Sequence, residues 1–150
     1  MKVTKAAEHL YRLSYIGFVN CYLVREDDGF TLVDAAVKGQ GPAILQAARD
    51  LGIPIRRIAL THAHIDHVGA VDELHQALPE AQVSISARDA RFLTGDMSLD
   101  PGEPATKLRG GYPRVAAVPS VLLREGDHVG SLEVIASPGH TPGHVAFLDT

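Results

Sequence analysis

Apolar positions along this chain recur with two periods, and the switch between them marks the elements. From 10 to 24 they alternate and then run together, with Tyr15, Ile16, Phe18, Val19, Tyr22 and Val24 favouring strand. Glu26, Asp27, Asp28 and Gly29 have the composition of a hairpin turn, and 30–33 is the return strand, closed by Asp34. Gly41 and Pro42 then open a helix in which Ile44, Leu45, Ala48 and Leu51 fall at helical spacing, and Gly52 stands where a C-terminal glycine belongs. An apolar strand over 57–60 follows, after which Ala70, Val71, Leu74, Ala77 and Leu78 predict a second amphipathic helix ending before Pro79. A strand over 83–86 and a helix over 87–93 continue the alternation.

The pattern stops at 94. Between 94 and 120 the chain carries Gly95, Pro101, Gly102, Pro104, Gly110, Gly111, Pro113 and Pro119, with no period sustained for longer than a turn. Connections above about 12–15 residues are uncommon in a domain of this kind, so this stretch predicts a substrate-covering segment, with Leu108 and Tyr112 in its pocket. Strands resume over 121–123, at Val129 and over 132–136, separated by the turns Glu125-Gly126-Asp127 and Gly130-Ser131, and 145–148 begins another.

Composition narrows the class. At 150 residues the chain is long enough for one domain, 1–150, that buries about two thirds of its unfolded surface. Hydrophobic residues at 45% and charged ones at 21% are the balance of a soluble globular domain rather than of a disordered or membrane chain. A formal net charge of −4 without a Lys/Arg cluster gives no footprint for a nucleic-acid backbone, which leaves a small molecule as the expected partner. No apolar segment follows the lysines of the N-terminus, so no signal peptide or membrane span is expected, and a cytoplasmic protein follows. Cys21, alone and in an apolar run, reads as a buried inert thiol. The oligomeric state is left open, a homodimer among the options.

The chemistry is concentrated in Thr61-His62-Ala63-His64-Ile65-Asp66-His67-Val68-Gly69, which directly follows the strand at 57–60. His62 and His64, two residues apart at a strand end, project to the same side of the chain and suit one ion. Asp66 and His67 follow where the backbone turns into a helix start, and can offer an oxygen and a nitrogen to a neighbouring position. Imidazole and carboxylate suit zinc, iron or manganese, and a cluster without cysteine argues for an open hydrolytic site over a structural zinc knot.

His62-x-His64-x-Asp66-His67 resembles the signature of the metallo-β-lactamase superfamily, with Thr61 and Gly69 in its usual context. Ser137-Pro138-Gly139-His140-Thr141-Pro142-Gly143-His144 resembles the next metal motif of that family, in which the first histidine is a ligand. The resemblance implies an α+β fold, the four-layer αββα sandwich. It also implies a metal set of His62, His64, Asp66, His67 and His140, with two zinc ions in a complete site and iron or manganese as alternatives. Asp66 would be a ligand that also orients the attacking water and accepts its proton. Asp34 would lie near the metals without binding them, and His144 would pack and hydrogen-bond rather than ligate.

The implied reaction is cleavage of a thioester, lactone or related carbonyl ester by a metal-bound hydroxide, and the glyoxalase II-like and lactonase-like branches are the most similar. A mononuclear iron dioxygenase acting on a persulfide and a non-catalytic fragment of the same fold are the alternatives. The bridging aspartate and last histidine of the family have no counterpart before Thr150, and Asp149 falls too early for the first. The expectation is therefore a chain truncated at its C-terminal end, lacking part of the second sheet and the last helices.

Overall fold

A computed structural model describes residues 1–104 and 106–150. Among these, ten strands form two sheets. The first contains β1 (Lys2–Lys5), β2 (Leu10–Tyr15), β3 (Val19–Glu26), β4 (Gly29–Val33), β5 (Ile55–Ala59), β6 (Gln82–Ser86) and β7 (Val121–Leu123), adjacent in that order. Pairing is antiparallel as far as β4 and parallel from there to β7. The change of sense follows from the connections: tight turns join the early strands, whereas α1 (Gly41–Asp50), α2 (Ile65–Val68), α3 (Val71–Ala77) and α4 (Ala87–Leu93) lie in the crossovers. The second sheet is antiparallel, β10 (Val145–Asp149), β9 (Leu132–Ala136) and β8 (His128–Val129) in that order.

The two faces of β5 show how the layers stack. Ile58 and Leu60 belong to a core shared with Ile44, Ala47 and Ala48 of α1, Val71 and Leu74 of α3 and Phe92 of α4. Ala59, between them in sequence, belongs to a second core with Val129, Val134 and Val145 of the other sheet. A period of two therefore gives one face to the helices and the other to the second sheet, a helix–sheet–sheet order that makes three of the four layers the resemblance implies, with no helix after α4 among the described residues. Cys21 is fully buried in the first core, and burial, followed by the nearby charge of Asp34, pushes its thiol up to about 12, which keeps it inert.

Three expectations change. The apolar run at 10–24 is two strands, because Ile16 (φ 47°) and Gly17 (φ 87°) turn the chain between β2 and β3. Continuous apolar character conceals such a turn when its residues are not polar. Lys2–Lys5, too polar to read as a strand, pairs with β2 at the sheet edge. The helix expected from Ala70 is preceded by a separate helical turn, α2, at the place where Asp66 and His67 were read as a helix start. Between them, a Cβ on Gly69 would stand 2.5 Å from both the Ile65 carbonyl oxygen and the Lys38 nitrogen, so only glycine lets this loop lie against 37–38.

The 94–120 stretch, of which residue 105 lies outside the described residues, contains no helix or strand among those described. It is nevertheless tied down. Arg88 holds Glu103 (2.8 Å) and Arg91 holds Asp100 (2.6 Å), fastening 96–103 to α4, while Val115 and Ala117 pack into the first core. Among the described residues no helix is long and apolar enough to cross a membrane.

Candidate metal centre

His62 and His64 leave the end of β5 buried, and His140 arrives exposed on the loop between β9 and β10. One nitrogen from each of the three lies within 4.8 Å of the others. His62 Nε2 stands 3.1 Å from His64 Nδ1, which stands 3.0 Å from His140 Nε2. Nitrogens at that separation cannot all carry protons, and the hydrogen bonds on the far side of the rings decide which do not.

His62 Nδ1–H donates to Thr61 Oγ1 (2.9 Å), whose own hydroxyl donates to the Asp34 carboxylate (2.9 Å). His64 Nε2–H donates to the Arg109 carbonyl oxygen (2.9 Å). Both assignments leave the converging nitrogen with its lone pair free, the state a metal requires. Burial first, and the neighbouring histidines second, hold His62 down to about 2, so it is neutral at any ordinary pH. His64 is also lowered, chiefly by burial against the opposing pull of the Arg109 carbonyl. These two freed lone pairs, with His140 Nε2 beside them, fit a divalent metal ion of borderline softness.

Asp66 and His67 occupy a neighbouring position, outside the three-histidine group. His67 Nδ1–H donates to Asp34 Oδ2 (2.7 Å), so Nε2 faces outward, 3.5 Å from Asp66 Oδ2. Burial works against a charge on His67, but the Asp34 hydrogen bond and carboxylate outweigh it and raise its pKa. Asp34, almost fully buried, thus orients His67 directly and His62 through Thr61. It does so from a left-handed backbone conformation (φ 63°), held in place by Asp34 N–H donating to the Ala59 carbonyl and Ala35 N–H to that of His67.

Asp89 is the site residue that sequence reasoning did not find. Fully buried in the first turn of α4, it accepts from Ala63 N–H (3.0 Å), Thr141 Oγ1 (2.7 Å) and Gly143 N–H (2.8 Å). Ala63 lies between His62 and His64, and Thr141 follows His140, so one carboxylate ties the two ligand loops together. The signal available was Ser86-x-x-Asp89, a helix-start pattern, and Asp89 N–H does donate to Ser86 Oγ (3.1 Å). Nothing local marks its other three bonds. They also account for Gly143: a Cβ there would lie 2.6 Å from Asp89 Oδ1.

A cleft of about 1210 Å³ opens on His64, Asp66 and His140, with residues 102–104 and 106–110 as part of its wall. Leu108 lines it as expected. Tyr112 does not; it stands behind the site, its ring 4.6 Å from those of both His64 and Phe92. His144, as expected, pairs elsewhere, 2.8 Å from Ser137 Oγ.

Residues 15–150 match the family model described as the metallo-beta-lactamase superfamily. The chain belongs to that superfamily. Protein YobT of Bacillus subtilis is 51% identical over 133 residues, which is 88% of this chain and 57% of YobT. Hydroxyacylglutathione hydrolase GloC of Haemophilus influenzae is 28% identical over 137 residues, 87% of this chain and 60% of GloC. A metallo-β-lactamase structure from Cronobacter sakazakii superposes with a TM-score of 0.79 at 24% identity, covering 98% of this chain and 57% of its own. The chain thus spans about three fifths of the length of the curated relatives it matches.

Proposed function

We propose that the protein is a metal-dependent hydrolase that cleaves a thioester, lactone or related carbonyl ester of a small molecule. The observation that carries this reading is the convergence of His62 Nε2, His64 Nδ1 and His140 Nε2, with the first two lone pairs freed by hydrogen bonds to Thr61 and Arg109. Two groups of relatives support the substrate class: GloC and the enzymes of Cereibacter sphaeroides are hydroxyacylglutathione hydrolases, and an acylglutathione is a thioester.

His62, His64 and His140 would hold one ion and His67 with Asp66 a second, zinc in the first instance and iron or manganese otherwise. A divalent ion supplies Lewis acidity and a water of lowered pKa. The chain supplies the rest. Asp66, half-exposed at the cleft floor, accepts the proton of the attacking water, and the cleft seats the acyl and leaving groups on the side of His64 and His140. Asp34 and Thr61 keep His62 in one tautomer through turnover. No covalent enzyme intermediate is required.

The test is metal content with turnover on the intact protein. Two zinc ions per chain, thioester or lactone cleavage lost on chelation and restored by zinc, and loss of at least a thousandfold in His62→Ala and His140→Ala are expected. One iron with oxygen uptake on a persulfide would replace this reading with the dioxygenase, and no bound metal would replace it with a non-catalytic role. A cytoplasmic enzyme with a small-molecule substrate, without nucleic-acid or membrane partners, is the setting we infer.

A further inference from the structure

Charge in the cleft wall is arranged against the sign of the molecule. The chain carries a net charge of −4, yet residues 104–124 contain Lys107, Arg109, Arg114 and Arg124 and no aspartate or glutamate. Two of these, Lys107 and Arg109, line the cleft that opens on His64 and His140. The acids of the same lining are Glu103 and Asp66. Glu103 is already taken: Arg88 donates to it from Nε (2.9 Å) and Nη2 (2.8 Å), Asp100 N–H donates at 2.6 Å, and the Arg88 bonds hold its carboxyl down to about 2. Asp66 pairs with His67 at the metal end. Among the described residues neither Lys107 nor Arg109 has a carboxylate within salt-bridge distance, and both are exposed.

Their position is fixed by what lies between and beside them. Leu108, between them, packs against the first core as well as lining the cleft, and so anchors the segment that carries both cations. The Arg109 carbonyl accepts from His64, and Gly110 lies so close that a Cβ on it would stand 2.7 Å from His64 Nε2. The two cations are therefore carried on backbone that rests on a metal-ligand histidine.

We propose that Lys107 and Arg109 form a subsite for a carboxylate on the non-reacting part of the substrate. The substrate class narrows accordingly to acidic thioesters or lactones, a step that rests on the hydrolase reading. The carboxylate accepts from both cations while the scissile carbonyl lies toward His64 and His140. Charge-assisted hydrogen bonds of this kind give roughly a ten- to hundredfold preference.

The experiment compares S-benzoyl-N-acetylcysteine with its methyl ester, identical except for the charge, on the intact zinc-loaded protein. The expected kcat/KM ratio of acid to ester is about ten to a hundred, carried mainly by KM and reduced by salt. Lys107→Ala with Arg109→Ala brings that ratio close to one, and Lys107→Arg with Arg109→Lys retains it. An unchanged ratio in the alanine variant overturns the subsite. The uncleavable thioethers S-benzyl-N-acetylcysteine and its methyl ester, titrated calorimetrically, separate the two readings. If neither thioester is hydrolysed but the parent protein binds the acid more tightly and the alanine variant does not, the subsite stands without the thioesterase. Equal binding of acid and ester by the parent protein removes the subsite alone.

Discussion

At the scale of single residues, Asp34 controls more of the site than any one ligand does. Its carboxylate accepts from Thr61 N–H (2.9 Å), Thr61 Oγ1 and His67 Nδ1–H, and through Thr61 it fixes His62 as well. Removing such a partner usually weakens metal binding about ten- to a hundredfold, so Asp34→Ala should lose affinity on that scale, measured by competition with a chromophoric chelator. Thr61→Val should lose less, because the bond from His67 to Asp34 survives it. Equal affinity in Asp34→Ala and the parent would show that the histidines need no such support. The ligand candidates and Asp34 were legible in the sequence because their chemistry is local: four side chains of metal-ligating type within six residues, and an aspartate closing a strand. Tyr112 was not. Whether a tyrosine faces a cleft or the back of a histidine depends on how the irregular segment packs, and no period in that segment reports it.

At the scale of elements, the site is three separate pieces of chain brought together: the loop after β5, the loop before β10 and the start of α4. Asp89 joins all three across sequence separations of 26, 52 and 54 residues, which is why no local pattern revealed it. Asp89→Ala leaves two buried N–H groups and a hydroxyl without an acceptor, and a loss of roughly 2–4 kcal/mol in unfolding free energy is expected by urea titration. Asp89→Asn keeps one acceptor oxygen and should lose about half as much. Gly110→Ala tests the wall in the same way. It combines a left-handed backbone (φ 90°) with a contact on His64, so it should displace the segment and weaken metal binding, measured by chelator competition, with little change in the overall secondary structure that far-ultraviolet circular dichroism reports. The helices and parallel strands around these pieces were readable from period alone, whereas the Ile16–Gly17 turn was hidden by its own hydrophobicity.

At the scale of the whole molecule, the metal-free protein holds histidines of lowered pKa on the loops after β5 and before β10, and this sets its response to acid. His62, His64 and His144 are all lowered from the ordinary 6.5, with burial as the first cause in each, and His67 alone among the shifted histidines is raised. A lowered histidine takes up its proton more readily in the unfolded chain. Its contribution to stability is present above pH 6.5 and is lost as the pH falls below that value. His67 acts in the opposite sense, contributing below 6.5 and losing that contribution as the pH rises through its raised value. Three lowered groups against one raised leave a net loss in acid. For His62, held down to about 2, the slope approaches an upper bound of about 1.4 kcal/mol per pH unit, and His64 adds to it in the same direction. The urea midpoint of the metal-free protein should therefore fall between pH 7 and pH 5, and His62→Gln, which removes the group held lowest, should flatten that fall. Bound metal should steepen the dependence, because protons then compete with the ion for the same lone pairs. A midpoint that rises toward pH 5 would mean that His67 and its Asp34 partner dominate, and that His62, His64 and His144 are better solvated than their burial indicates.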